Sequence, residues 1–127
     1  PPDHDATLRC RIQSHPAGFR LLSGTMSGVR FDQRTEEDER EPHEFVDVQF
    51  ESSQTRATLP DGSQRYYDGL ALKSDGTWEG IEVKSGNASR SGSQRAFDDA
   101  VGSGVPATAM LEGKPIQITS TYLQRVY

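Results

Sequence analysis

The chain has 127 residues, a hydrophobic fraction of 32% and a formal net charge of −5. This length suits one domain with a modest core, and no run of residues approaches the roughly 18 apolar positions that a membrane-spanning helix needs. Because Cys10 is the single cysteine, an intramolecular disulfide is excluded and a cysteine-rich zinc cluster is not expected. The first residues, PPDHD, lack a methionine and contain no signal peptide, so we expect a fragment of a larger protein.

The charge is distributed unevenly along the chain. Residues 1–64 hold 12 acidic and 7 basic side chains, whereas residues 65–127 hold 7 of each. A net-acidic chain is a poor candidate for non-specific DNA coating. The segment 83–97 nevertheless contains three basic residues and no acid, which suits local binding of a phosphodiester.

The first 43 residues do not predict a clear structure. Residues 6–13 fit a strand or a short helix, and one proline and three glycines interrupt residues 15–31. Residues 32–41 are a charge run of six acids and two arginines. Such a run is typical of a solvated loop or helix face. The alternative is that one of its glutamates reaches an active site.

Strand patterns dominate the middle of the chain. In residues 43–52 apolar and polar side chains alternate, which predicts a strand, and the Pro-Asp-Gly sequence at 60–62 predicts a turn. Residues 65–72 and 78–85 predict two further strands around the loop 73–77.

A helix is predicted after these strands. Residues 87–104 fit a loop that leads into a helix, with Ser91 or Ser93 as its N-cap and Gly102 just past its end.

The last part of the chain, residues 105–127, predicts a hairpin around a Glu-Gly-Lys turn, or one strand and a terminal extension. The order of elements predicts a small mixed α/β domain. We expect one domain over residues 1–127, in which residues 1–43 are an N-terminal element of uncertain structure and residues 44–127 are the functional core.

One hairpin loop decides whether three charged residues form one site. Glu82 and Lys84 are two apart on a strand and therefore point to the same face. A two-residue turn would set Asp68 opposite Val83, whereas an odd-length loop centred on Asp75 sets Asp68 opposite Glu82. Opposed carboxylates repel each other, and Lys84 is the only cation that the pattern sets beside them. A divalent metal would relieve the repulsion, and Mg²⁺ prefers such oxygen ligands.

These residues carry a resemblance to a known family. Asp68 followed by Glu82-Val83-Lys84 resembles the PD-(D/E)xK signature of the restriction-endonuclease-like nuclease superfamily, with Tyr67 in place of the leading proline. The stretch YYDGLALKSDGTWEGIEVKSG, followed by SQRAFDDAV, resembles the nuclease toxin domains at the C-terminus of bacterial polymorphic toxins, including contact-dependent growth inhibition proteins. The resemblance covers residues 45–127. It leaves residues 1–43 unexplained, where the family usually has a helix carrying a further acid.

The resemblance implies a restriction-endonuclease-like core, a central mixed β-sheet flanked by helices, with metal-dependent endonuclease activity. Asp68 and Glu82 would coordinate Mg²⁺ or Mn²⁺ together with the backbone carbonyl of Val83. Lys84 would orient the attacking water or stabilise charge on the phosphate. Gln94 would face the site from the helix, as in related nucleases, or lie on the surface beside a core stripe. The substrate would be DNA or tRNA, cleaved to 5′-phosphate and 3′-hydroxyl ends.

Three more residues are predicted to bind substrate. Ser85 directly follows the Glu-Val-Lys triplet, and Arg90 and Arg95 lie near the predicted start of the helix, where they suit phosphate binding. The alternative for the two arginines is a solvated surface. Trp78 and Tyr67 are expected to pack in the core, with base stacking as the alternative.

The leading functional prediction is a nuclease (a hydrolase) that forms the toxic C-terminal domain of a secreted bacterial effector and acts in the cytoplasm of a target cell. Such a toxin implies a cognate immunity protein, with an acidic surface over the basic strip from Lys84 to Arg95. No membrane segment is expected in this domain. The alternatives are a restriction or repair nuclease of the same fold, or a non-catalytic β-rich binding module in which Asp68, Glu82 and Lys84 are replaceable surface residues.

Overall fold

The computed structural model describes residues 7–15, 18–26, 29–40, 44–49 and 54–126. These ranges form ten strands and two helices. The strands are β1 (Thr7–His15), β2 (Gly18–Met26), β3 (Val29–Asp32), β4 (Glu44–Gln49), β5 (Thr55–Thr58), β6 (Gln64–Tyr67), β7 (Gly69–Leu72), β8 (Trp78–Ser85), β9 (Ala107–Leu111) and β10 (Lys114–Val126). The helices are α1 (Glu36–Arg40) and α2 (Gly92–Gly102). Neither helix of these ranges has the length and apolar character needed to cross a membrane.

All ten strands belong to one sheet, in the order β3-β2-β1-β4-β7-β8-β10-β9-β5-β6. Neighbouring strands are antiparallel except β8 and β10, which are parallel and are connected through α2 and β9. The sheet is therefore mixed, which confirms the predicted mixed class at this level. The N-terminal region, ambiguous in sequence, joins the same sheet because β1 pairs with β4.

The predicted single strand over residues 65–72 is wrong, because the chain breaks at Asp68. Residues before the break form β6, which pairs with β5, and residues after it form β7, which pairs with β8. Since β6 and β7 are adjacent in sequence but distant in the strand order, the six strands from β7 to β6 must curl. The curl brings Arg65 of β6 within 2.7 Å of Glu82 of β8.

The two faces of the sheet bury two separate hydrophobic clusters. The cluster beneath α2 consists of Ala57, Leu59, Tyr67, Leu70, Phe97, Val101, Ala107, Ala109 and Ile118. The cluster on the other face consists of Cys10, Ile12, Leu21, Phe31, Ala71 and Ile81. Neighbouring residues of β7 enter different clusters because successive side chains of a strand point to opposite faces.

Packing gives Trp78, Tyr67 and Cys10 structural roles. Trp78 packs against the cluster beneath α2 and Tyr67 is fully buried within it, so both are core residues as expected. Burial raises the pKa of the Cys10 thiol to about 11, which leaves it protonated at neutral pH and suits a structural role.

Helix α2 begins where the sequence predicts. Ser91 is the N-cap, and its hydroxyl accepts the N–H of Gln94 at 3.1 Å. In return, the side-chain carbonyl of Gln94 accepts the N–H of Ser91 at 2.8 Å, which completes a capping box. Gly102 is the last helical residue rather than the first residue past the end, and Ser103 is the C-cap.

Candidate functional site

The loop between β7 and β8 has an odd number of residues, which is one of the two possibilities that the sequence leaves open. The ladder ends with Leu72 opposite Trp78, so the five residues 73–77 form the loop. The regular pairing ends with Gly69 opposite Ile81, because the N–H of Asp68 donates to the same Ile81 carbonyl and shifts the register by one residue. The odd loop therefore brings Asp68 beside Glu82 without a direct cross-strand pair.

Asp68 is fixed at the end of β7 by its own side chain. Its N–H donates to the carbonyl of Ile81 at 2.8 Å, and its Oδ2 accepts the N–H of Val83 at 2.8 Å. These two contacts flank Glu82 on β8. Oδ1 accepts the side-chain amide of Gln54 at 3.0 Å. The carboxylate thus replaces the backbone carbonyl that a continuous strand would have offered to β8.

Glu82 is buried between two cations. Its side chain is 6% exposed, Oε1 accepts Nη1 of Arg65 at 2.7 Å, and Nζ of Lys84 lies 3.6 Å from Oε2. Burial raises the pKa of the Glu82 carboxyl above its usual value, and the charge of Asp68 adds to this, while Arg65 and Lys84 act in the opposite direction. Asp68, Glu82 and Lys84, called the candidate site below, are therefore brought together.

Arg65 lies beneath the candidate site and links it to α2. Its Nε and Nη2 donate to the two oxygens of Asp98 at 3.1 Å each, in a bidentate pair. Nη1 donates to the carbonyl of Tyr66 at 2.9 Å as well as to Glu82. The guanidinium also lies over the Tyr67 ring, 4.6 Å from its centroid.

Asp98 has no acceptor site left for a ligand. Besides the two bonds from Arg65, Oδ1 accepts the Tyr67 hydroxyl at 2.6 Å and Oδ2 accepts Nη1 of Arg90 at 2.9 Å. A carboxylate offers about four lone-pair positions, and these four donors occupy them. Asp98 is therefore an anchor for arginines rather than a metal ligand.

Arg65 and Asp98 were not identified from the sequence, although both leave a signal there. Arg65 and Tyr67 are two apart in β6 and share its buried face. Asp98 lies between Phe97 and Val101 on the buried side of α2. A charged residue at a core position needs an opposite charge as partner, so one such residue on each element indicates a pair.

Among the remaining predicted site residues whose side chains the structure describes, Arg90 is the one that binds a carboxylate of the group formed by Asp68, Glu82 and Asp98: it donates to Asp98. Gln94 uses its side-chain carbonyl in the capping box with Ser91 rather than towards Asp68 or Glu82. Arg95 is exposed and donates to the carbonyl of Arg90 at 3.0 Å.

The predicted roles of Ser85 in substrate binding and of the Val83 carbonyl in metal binding both stay predictions. Ser85 ends β8, and its side chain lies outside the described part of the structure. The N–H of Val83 is bound by Asp68, and the role of its carbonyl as a metal ligand stays a prediction.

Tyr66, which a continuous strand would set opposite Lys84, pairs instead with Arg56 across β5 and β6. The break at Asp68 is the reason, because β6 leaves the ladder with β8.

Positive side chains reach solvent beside the candidate site. The side chains of Lys84 and Arg90 are 22% and 26% exposed. Nη1 of Arg125 donates to the carbonyls of Gly86 and Ala88 at 2.9 and 2.6 Å, which holds the loop between β8 and α2. This part of the surface suits an anionic ligand.

The donor set of the candidate site fits a magnesium-like cation held by few protein ligands. In the ranges that the structure describes, no group of three or more His, Cys, Asp and Glu side chains is arranged to hold a metal. Asp68 and Glu82 remain, and Mg²⁺ is often bound by one or two carboxylates with water and phosphate. Each oxygen of Asp68 accepts one hydrogen bond and has a second lone pair. Oε2 of Glu82 faces Lys84 at more than hydrogen-bond distance.

The alternative that a glutamate of residues 32–41 reaches the site stays a prediction: Glu36, Glu37 and Glu39 are exposed on α1, and Glu39 pairs with Arg34 at 3.2 Å. The buried acid of this segment is Asp38 instead. Asp38 in α1 accepts Nη1 of Arg20 at 2.7 Å and the N–H of Thr35 at 2.9 Å. The Thr35 N–H and the Arg20 guanidinium hold the pKa of the Asp38 carboxyl below its usual value. Asp38 thus anchors α1 to β2. Glu41 lies outside the described residues.

An open groove of about 380 Å³ begins beside the candidate site. Strands β5 and β9 pair only over residues 57–58 and 108–109 and separate beyond them. The gap is lined by Gln54, Arg56, Thr58, Thr108, Met110 and Glu112, among others. Gln54 also donates to Asp68, so the groove and the candidate site are continuous.

Comparison with models of known protein families, with curated proteins and with solved structures found no match to this chain.

Proposed function

We propose that the chain is a metal-dependent nuclease, with Asp68, Glu82 and Lys84 as its catalytic residues. The observation that carries this proposal is the closeness of two carboxylates: Asp68 accepts the N–H of Val83, the residue after Glu82, and its charge acts on Glu82, with the Lys84 ammonium 3.6 Å from Glu82. Two carboxylates are a sufficient protein ligand set for Mg²⁺, and a neighbouring amine complements a phosphate. The arrangement therefore supports phosphodiester hydrolysis better than a chemistry based on a nucleophilic side chain.

A restriction-endonuclease-like core is part of the same proposal. It is supported by the position of β8, which carries Glu82 and Lys84 and pairs with antiparallel β7 on one side and parallel β10 on the other. Helix α2, which follows β8, packs through Phe97 and Val101 on the face of the sheet that bears Tyr67 and Leu70.

The chemistry then divides among few groups. Asp68 and Glu82 would hold Mg²⁺ or Mn²⁺, with the Val83 carbonyl as a further ligand. Such a cation, when bound, lowers the pKa of water and polarises a phosphoryl oxygen. Lys84 would orient the attacking water or stabilise negative charge on the phosphate. Arg90, partly exposed and hydrogen-bonded to Asp98, would bind a neighbouring phosphate.

The substrate we propose is DNA or tRNA. The exposed cations of the basic strip and the polar groove between β5 and β9 give a nucleic acid two contact areas beside the candidate site. Arg56 and Gln54 supply donors for phosphate or base edges in that groove. Because the whole chain is acidic, binding is expected to be local and to weaken steeply with salt.

The decisive experiment is cleavage of DNA and of tRNA by the purified chain with Mg²⁺ or Mn²⁺. We expect EDTA to abolish cleavage, and Glu82→Gln and Lys84→Ala each to reduce the rate at least 100-fold, in line with the loss of an electrostatic catalytic group. Asp99→Asn, which neutralises an exposed acid of α2 outside the site and the groove, is the matched control and should cleave normally.

Retention of full activity by both site variants would show that the site is wrongly assigned. If the wild-type chain cleaves neither nucleic acid and is harmless when expressed, the nuclease proposal fails. Circular dichroism of each variant distinguishes loss of chemistry from loss of fold.

The biological setting we propose is a toxic domain of a secreted bacterial effector that acts in the cytoplasm of the target cell. A cognate immunity protein would cover the basic strip from Lys84 to Arg95 with an acidic surface. Arg95→Glu tests this best, because Arg95 is exposed and forms no ion pair in the described residues, whereas Arg90 is bound to Asp98. Unchanged immunity binding by this variant would argue against that surface.

A non-catalytic binding module is the second candidate, and one observation favours it. Glu82 and Asp98 are both neutralised inside the protein by Arg65, with further contributions from Lys84 and Arg90. A closed charge network of this kind also serves structure alone. Under this candidate the wild-type chain binds a ligand without turnover, and Lys84→Ala changes neither binding nor fold.

A further inference from the structure

The two oxygens of Glu82 have different surroundings. Oε1 accepts a short, charge-assisted hydrogen bond of 2.7 Å from Arg65, which is itself buried. Oε2 faces Lys84 at 3.6 Å, where no hydrogen bond forms. One oxygen is therefore held by the protein and the other is left for a ligand.

Arg65 has little freedom to move. The two bonds to Asp98 fix the plane of the guanidinium, the Tyr66 carbonyl accepts from the same Nη1 that serves Glu82, and the Tyr67 ring covers one face. A bidentate pair adds geometric specificity that a lysine cannot reproduce, because an ammonium group acts as a point charge. These contacts thus fix the position of Nη1 independently of its hydrogen bond to Glu82.

Asp98 in turn is fixed by α2 and by the core. It is 5% exposed, lies between Phe97 and Val101 of the hydrophobic cluster, and accepts the Tyr67 hydroxyl at 2.6 Å. The chain of contacts from the helix to the candidate site therefore runs through Asp98 and Arg65 to Glu82.

We propose that Arg65 is a positioning residue for Glu82: anchored on Asp98, it binds Oε1 and turns Oε2 towards Lys84 and a divalent cation shared with Asp68. This inference rests on the proposed function, because it assumes a cation at the candidate site. Partners that orient a metal ligand typically change metal affinity 10- to 100-fold when they are replaced.

The test is a titration of the full chain with Mn²⁺ in the absence of substrate. Electron paramagnetic resonance of the unbound Mn²⁺ measures how much is bound. Arg65→Lys keeps the charge but loses the bidentate geometry, and we expect it to weaken Mn²⁺ binding about tenfold. Ile12→Val is the control, since it loosens the hydrophobic cluster on the other face of the sheet without touching Arg65, Asp98 or Tyr67. It should lower the melting temperature and leave Mn²⁺ binding within about twofold of wild type.

A double-mutant cycle completes the experiment. In a Glu82→Gln background, Arg65→Lys should have no further effect on Mn²⁺ binding, because the group that Arg65 positions is gone. Unchanged or tighter binding by Arg65→Lys overturns the positioning role while leaving the metal site in place. Absence of Mn²⁺ binding by the wild-type chain overturns the metal site of the proposed function, and the inference falls with it. Equal weakening of Mn²⁺ binding by Arg65→Lys and Ile12→Val indicates a purely structural role and also overturns the inference.

Discussion

Glu79 is a buried acid outside the candidate site, and it makes stability depend on pH. It is 2% exposed; Oε1 accepts the N–H of Phe19 from β2 at 3.0 Å, and Oε2 accepts the Ser120 hydroxyl at 3.3 Å. Lys73, whose charge also acts on Glu79, donates to the Thr119 and Ser120 hydroxyls. Burial raises the pKa of the Glu79 carboxyl from 4.5 to about 7, since these partners and Lys73 offset only part of the desolvation.

The sign of the effect follows from linkage. Because the pKa of Glu79 is higher in the folded than in the unfolded chain, the folded state binds the proton more tightly between pH 4.5 and 7. The protonated Glu79 therefore contributes its full stabilisation of the fold below pH 4.5, and this contribution is lost as the pH rises through 7. The difference between the folded and unfolded pKa values of Glu79 corresponds to about 3 kcal/mol in the free energy of unfolding, which is the upper limit of its contribution.

Glu79→Gln isolates this contribution. The amide keeps an acceptor for the Phe19 N–H and has no charge to lose, so the variant should be more stable than wild type at pH 8, by up to about 3 kcal/mol. The advantage should disappear at pH 4.5. Urea unfolding of both proteins from pH 4.5 to 8 measures the difference, and Glu112→Gln, in an exposed turn, controls for the loss of a negative charge. If the two curves run parallel across this range, Glu79 does not titrate as argued. Tyr122, which also faces Glu79, has a raised pKa and stays neutral throughout.

Two further predictions concern the backbone. Gly80→Ala would bring a Cβ within 2.8 Å of the Tyr67 ring, so we expect a loss of about 1–3 kcal/mol in urea unfolding, and a loss below 0.5 kcal/mol would contradict the close packing. Glu112 has a φ of 53° beside Gly113 at 79° in a two-residue turn, a conformation that asparagine tolerates better than glutamate. Glu112→Asn should therefore raise the free energy of unfolding by about 0.5–1 kcal/mol, and destabilisation would refute this account of the turn.

Local features of this fold were predictable because they depend on neighbours in sequence. The five-residue loop 73–77 has Asp75 at its centre, where Oδ1 accepts the Thr77 N–H at 2.8 Å, and Gly76 has a φ of 88°. The residue types that form such a turn can be recognised from the sequence alone. The same holds for Ser91 as N-cap and for the final hairpin, whose turn is Glu112-Gly113.

The break at Asp68 was not predictable from its neighbours. Residues 65–72 have a continuous strand pattern, yet β6 pairs with β5 at the far edge of the sheet. The break becomes stable because the Asp68 carboxylate satisfies the Val83 N–H that β6 leaves unpaired. That contact depends on the curl of six strands, which the sequence pattern does not encode. The Arg65–Asp98 pair escaped prediction for the same reason, since the two residues are 33 positions apart.

The structure also changes the argument for a metal. In sequence, two opposed carboxylates with only Lys84 beside them required a further cation. In the fold, Arg65 supplies a buried positive charge to Glu82 at 2.7 Å, so repulsion between Glu82 and Asp68 is already reduced without a metal. Charge repulsion therefore no longer demands a cation. Geometry still favours one, because Arg65 holds one oxygen of Glu82, the other accepts no hydrogen bond from Lys84, and the Asp68 carboxylate binds the N–H of the next residue, Val83. With three basic and three acidic side chains, Asp98 and Arg90 included, the cluster is neutral, so a divalent cation is expected to bind most tightly together with an anionic phosphodiester.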